Sequence, residues 1–132
     1  MRFLSFLFFI KGSFEALSKP NGYLEKPEYF KLGRKRAPNF TYGREDIYAV
    51  FLRYEHFKKQ HSFFDETDLV HNIFRRLVKV VDRPWVVHQV FVDETQDFTQ
   101  AELCLLIRIC QNPNYMFLTG RNNIEFTFEL FF

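Results

Sequence analysis

The sequence predicts an α/β fold in which a helix-rich amino-terminal part leads into a parallel β-α-β segment. Three observations predict it. From Glu45 to Lys59, the apolar residues Ile47, Val50, Phe51 and Tyr54 recur at the i, i+3, i+4, i+7 spacing of an amphipathic helix. Val90-Phe91-Val92 and Tyr115-Met116-Phe117-Leu118 are short apolar runs with the composition of buried strands. Between them, Thr99-Gln100-Ala101-Glu102 has the form of a capping box, in which Thr99 and Glu102 reciprocally satisfy free amides at a helix start. Strand, helix and strand joined by short connections form the unit of a parallel sheet, with a right-handed crossover.

Taken in chain order, the first ten residues hold one Arg and an apolar run from Phe3 to Ile10. That run is too short to span a bilayer, and no small-x-small cleavage site follows it, so a buried element of a larger protein is the expected reading. Ser18-Lys19-Pro20-Asn21-Gly22 predicts a turn, because Pro and Asn-Gly oppose helix continuation. Lys31 to Asn39 reads as a basic loop in which Arg34-Lys35-Arg36 either contacts phosphates or is simply solvated. A second helix is predicted to start at Asp65, whose carboxylate can cap the amide of Asp68. It should bury Leu69, Ile73, Phe74, Leu77 and Val81 before Asp82-Arg83-Pro84 ends it. The helix after Phe98 should bury Leu103, Leu106, Ile107 and Cys110, and Asn112-Pro113-Asn114 stops it.

A chain of 132 residues with 47% hydrophobic content has room for one domain with an ordinary core, so residues 1–132 are expected to form one unit. The 19 phenylalanines are mostly expected inside, and rings left outside would indicate a missing partner surface. Eighteen basic and 16 acidic residues are too balanced for attraction of a polyelectrolyte by bulk charge. Cys104 and Cys110 lie in an apolar segment and are expected as buried thiols; with His56, His61, His71 and His88 scattered, a disulfide framework or zinc site is excluded. Reduced thiols and the lack of a targeting signal point to an intracellular setting, nucleus or cytoplasm.

The stretch with chemical content is Val90-Phe91-Val92-Asp93-Glu94-Thr95-Gln96-Asp97-Phe98, an apolar strand that delivers acids at its carboxyl end. Ligands of open α/β sheets bind at that end. Adjacent carboxylates there point in different directions, so one can hold hydrated magnesium while its neighbour orients a water beside a phosphate. The bland alternative is acids that end a strand and favour the next helix start electrostatically.

Asp93-Glu94-Thr95-Gln96-Asp97 after an apolar strand resembles the Walker B element, D-E-x-Q-D, of the UvrD/Rep-like superfamily 1 helicases. Phe64-Asp65-Glu66-Thr67-Asp68-Leu69 is similar to the acidic-aromatic segment opening the preceding helix of that family, and Phe117-Leu118-Thr119-Gly120 falls at its next strand. Ile10 to Leu17, Leu32 to Arg36 and Phe98 to Leu103 also resemble the helicase-like region of tetratricopeptide- and ankyrin-repeat-containing UvrD-like proteins, a likeness covering about residues 10–120. The resemblance implies a partial RecA-like P-loop NTPase unit from a nucleic-acid motor, with DNA favoured over RNA as its substrate. It implies Mg2+ and ATP as cofactors, Asp93 as magnesium ligand, Glu94 as catalytic carboxylate, and Gln96 and Asp97 as nucleotide-responsive residues.

The departures are equally specific. No G-x-x-x-x-G-K-[ST] occurs, so the amide cradle and lysine that grip phosphates are absent. Arg121-Asn122-Asn123-Ile124 does not match the family after Gly120, and the tail through Phe132 diverges. The chain alone is therefore expected to be inactive. A non-catalytic interaction or regulatory module, or the product of an incomplete gene, stands as the alternative.

Overall fold

A computed structural model describes residues 9–32 and 43–120. The amino-terminal run before Phe9, the Arg34-Lys35-Arg36 cluster and the divergent tail lie outside these residues. In chain order the elements are helix α1 (Phe14–Leu17), α2 (Lys26–Lys31), α3 (Arg44–His61), α4 (Glu66–Leu77), strand β1 (Val90–Val92), α5 (Gln100–Ile109) and β2 (Met116–Leu118). The result is a mixed, helix-rich α/β arrangement with one small parallel sheet, in which Val90, Phe91 and Val92 pair with Met116, Phe117 and Leu118. An isolated parallel bridge from Val87 to Cys110 extends the pairing toward the start of both strands. The larger sheet of a RecA-like unit is not present among the described residues.

The helix starts follow from their caps. Asp65 accepts a hydrogen bond from the Asp68 amide at 2.9 Å, and Asp68 accepts one from the Asp65 amide at 3.0 Å. At α5, the Thr99 hydroxyl accepts from the Glu102 amide at 3.2 Å, and Glu102 accepts from the Thr99 amide at 2.6 Å. Each box satisfies donors that the first helical turn leaves without partners. The Ser18–Gly22 turn also forms; Gly22 takes φ 73°, and a Cβ there would meet the His71 ring at 2.9 Å. Both facts call for glycine.

Two apolar clusters form among the described residues. The first joins Ile10, Leu24, Tyr29, Tyr48 and Phe51; the second joins Leu17 of α1, Val70 of α4, and Ala101 and Cys104 of α5. The predicted α3 stripe needs correction, because Val50 is exposed while Tyr48, Phe51, Glu55 and Lys58 are buried. Those four positions also share one helical face, and two of them are charged. In α4 the buried residues are Val70 and Leu77, whereas Leu69, Ile73 and Val81 are exposed. The α4 helix stops at Leu77, short of Val81. Apolar residues outnumber those that α1 and α5 can cover, so periodicity alone misplaces the face. The strands need the same correction. Phe91 is 72% exposed and Phe117 47%, because a two-stranded sheet covered on one side leaves its other side bare.

The first cluster carries one unmet polar group. Tyr29 is fully buried, and its hydroxyl has no hydrogen-bond partner among the described residues. Burial raises the pKa of that phenol. Leaving a buried hydroxyl unsatisfied costs about 1–3 kcal/mol. Tyr29→Phe is accordingly expected to raise stability by about 1 kcal/mol in urea denaturation, and a loss of stability would show that the hydroxyl is paired in solution.

Candidate functional site

β1 delivers Asp93 and Glu94 to its carboxyl end, as the sequence predicts, and the end of β2 closes against them. The Thr119 amide donates to Val92 O at 2.9 Å, and the Thr95 amide donates to Thr119 O at 2.8 Å. The Thr95 hydroxyl adds a second bond to Thr119 O at 2.7 Å, and Thr95 is buried although Glu94 before it is exposed. This zip ties the acidic loop to β2.

Asp93 and Glu94 each accept hydrogen bonds from neighbouring residues. Asp93 Oδ1 accepts from the Thr119 hydroxyl and from the Glu94 amide at 2.8 Å. These two bonds, Thr119 first, hold its carboxyl below the usual range. Glu94 sits in the left-handed region at φ 52°, and its carboxylate accepts from the Gln96 side-chain amide. Left-handed backbone costs a side-chain-bearing residue about 1–2 kcal/mol, so the loop bonds hold Glu94 there. The Asp97 amide donates to Glu94 O at 2.8 Å, closing the turn Thr95–Asp97, and the Asp97 side chain stays outside. Gly120 packs so closely that an added Cβ would lie 2.5 Å from Gln96 Oε1.

The acidic loop itself supplies no cation for a nucleotide. Residues 93–98 and 116–120 contain no lysine, arginine or histidine, so the charge of a triphosphate placed there would have to be met by a bound metal ion or by other parts of the protein. Nor do Asp93, Glu94 and Asp97 form a three-ligand group among the described residues.

A group that does converge lies elsewhere, where Glu55, Asp65 and Asp68 place carboxylate oxygens within 4.8 Å of one another. Two ammonium groups already fill it. Lys11 Nζ donates to Glu55 at 3.1 Å, to Asp65 at 2.7 Å and to Asp68; Lys58 Nζ is 2.8 Å from Glu55 and 2.7 Å from Asp65. The Lys11 side chain is 0% exposed. Burial pushes the Asp65 carboxyl up, but Lys11 and Lys58 outweigh it and hold the group well below its ordinary range. Burial likewise opposes the charge on Lys58, and its hydrogen bonds to Asp65, Asp68 and Glu55 overcome that and raise its pKa. Tyr54 donates to Asp65 at 3.0 Å and is pushed up to about 12, first by burial and then by that carboxylate's charge. The cluster staples the amino-terminal segment to α3 and α4, and with every group engaged it offers no free nucleophile or base.

Sequence reading missed this cluster because Lys11 lies 44 to 57 positions from its partners. A signal exists in retrospect: Glu55 and Lys58 continue the buried face of Tyr48 and Phe51 at helical spacing. The expectation for the cysteines holds, since Cys104 and Cys110 are buried and free, and burial first, then Glu15, pushes the Cys104 thiol up to about 12. Among the described residues no helix is long and apolar enough to cross a membrane.

A third feature is apolar. A groove of about 880 Å3 lies between the end of α4, the connection to β1 and the face of α5. Its walls include Phe74, Val81, Trp85 and Ile107, with Arg83 and Arg108 as the charged lining residues.

No protein-family profile matches the chain, and no solved structure matches it. A human protein, TPR and ankyrin repeat-containing protein 1, is 54% identical over 112 residues, which is 85% of this chain. The chain spans about 4% of the length of that relative. The relative carries the name of a repeat protein rather than of a helicase, and no helicase family is matched, so the expectation of a superfamily 1 helicase motor is corrected. The same finding corrects the ATP-binding and hydrolase assignments that the resemblance implied for the parent motor.

Proposed function

We propose that the chain is a non-catalytic interaction module of a repeat-containing protein. The observation that carries this reading is the bare side of the sheet, where the Phe91 and Phe117 rings stack with centroids 4.8 Å apart and 10° between planes. Two aligned aromatic rings facing solvent form an adhesive surface of the kind that covers itself against protein. The β1–α5–β2 unit, a segment of the type found in RecA-like layers, serves here as a scaffold. The name of the human relative supplies the occupant, because stacked repeats present extended concave surfaces that bind other protein elements.

Hydrogen exchange tests this assignment. The chain is mixed in turn with separately expressed segments carrying the tetratricopeptide and the ankyrin repeats of the human relative. One of them is expected to slow exchange at β1 and β2, and Phe91→Glu with Phe117→Glu is expected to abolish the effect. Unchanged exchange with every repeat segment, or magnesium-dependent ATP turnover abolished by Glu94→Gln, would remove the assignment.

A further inference from the structure

The geometry points to a second docking surface on the groove between α4 and α5, which takes an acidic amphipathic helix from a partner protein. It rests on the reading of the chain as an interaction module, and it uses a face separate from the Phe91 and Phe117 rings. The floor is apolar and half-buried, formed by Phe74 and Ile107. The rim is more open, with Val81 93% exposed, Val86 54% and Trp85 44%.

Size and lining choose between ligand classes. A volume of about 880 Å3 would suit a drug-sized molecule, whose pockets run about 300–1,000 Å3. Such pockets, however, carry a few polar groups converging on the ligand. Here the charged lining residues are Arg83 and Arg108 alone, both cationic, and no Asp or Glu lines the groove. An apolar centre with a charged border is the anatomy of a protein interface, and a groove beside two packed helices fits the helix-in-groove mode.

Charge selects the partner. Arg83 Nη1 donates to Arg108 O at 2.7 Å, and the Arg83 guanidinium lies 5.5 Å from the Trp85 ring centroid. That double hold fixes the guanidinium at the border, so little side-chain freedom is lost when a carboxylate meets it. Arg75, Arg76 and Lys79 line a separate polar recess on α4 and add positive charge to that helix, against which the acids nearest in sequence to the groove lining are Asp82 and Glu15, the latter close enough to act on Cys104. Trp and Arg are also the residue types in which binding energy concentrates. The occupant that matches presents leucine-type residues at i, i+3, i+4 and i+7, flanked by glutamates.

Fluorescence anisotropy on the full chain tests this with three labelled probes. They are an 18-residue helical peptide of that pattern, the same peptide with every Glu changed to Lys, and a scrambled acidic peptide. The acidic helix is expected to bind at least tenfold more tightly than either other probe. Val81→Asp, at an exposed position that leaves the fold intact by circular dichroism, is expected to weaken it at least tenfold. Arg108→Glu should erase the preference for the acidic over the basic peptide, while Phe91→Glu leaves binding unchanged. Equal binding of acidic and basic helices, wild-type affinity in Val81→Asp, displacement by a single-stranded oligonucleotide, or burial of the groove by self-association in sedimentation would each overturn the proposal. Loss of exchange protection at β1 and β2 without loss of peptide binding would sink the repeat-surface assignment and leave the groove standing.

Discussion

Lys11→Met is expected to lower stability by about 3–5 kcal/mol, read as a fall in the denaturation midpoint at unchanged slope. The Lys11 ammonium is buried against Glu55, Asp65 and Asp68, with Lys58 as the second cation. Removing it leaves three carboxylates around one ammonium, where the dominant cost is buried charge without compensation and not the lost hydrogen bonds themselves. Met fills similar volume, so a cavity contributes little. Adding Asp68→Asn restores the balance of one surplus negative charge, and the double variant is expected to recover part of the loss. Strict additivity of the two substitutions would show that the groups do not interact.

The pH dependence follows from the same cluster. Asp65 has its folded pKa lowered, so its contribution is complete above the ordinary carboxylate value of about 4 and is lost as pH falls through the lowered folded value. In Lys11→Met that depression shrinks. The acid limb of the stability curve should then move to higher pH, and an unmoved limb would remove Lys11 as its cause.

Much of the fold was legible because it rests on local chemistry. Asp65 with Asp68 and Thr99 with Glu102 mark helix starts from within four residues, and both boxes form. The parallel pairing of β1 and β2 follows from the length and polarity of the segment between them. Burial was less legible. Periodicity treats Lys58 as solvent-facing, yet its alkyl stem lies on the buried face of α3 and its charge is met by residues of α4. Phe91 reads as core in any apolar run, and its exposure depends on how many layers cover the sheet, a property outside the strand itself. The acidic loop shows the same limit at the site. The order of Asp93 and Glu94 was readable, whereas the left-handed backbone of Glu94 and the capture of Asp93 by Thr119 depend on β2 arriving alongside.

Phe51→Ala is expected to cost about 3–5 kcal/mol, comparable to the whole margin of a weakly stable domain. Phe51 is fully buried among Ile10, Leu24, Tyr29 and Tyr48. Its ring meets Tyr23 edge-on at 5.1 Å and Tyr48 at 5.7 Å, and each such pair adds about 0.5–1.5 kcal/mol beyond area burial. The neighbours come from three separate chain segments, so they cannot close over the space without shifting α3. Phe51→Leu keeps most of the volume and should lose less than half as much. Because the second cluster shares no residue with the first, the damage should be uneven in native-state hydrogen exchange. Protection at Leu24, Tyr29 and α3 is expected to fall while that of α5 and the strands persists. A uniform fall would mean that the ion cluster of Lys11 couples the two cores into one cooperative unit, in which case Lys11→Met and Phe51→Ala should give the same exchange pattern.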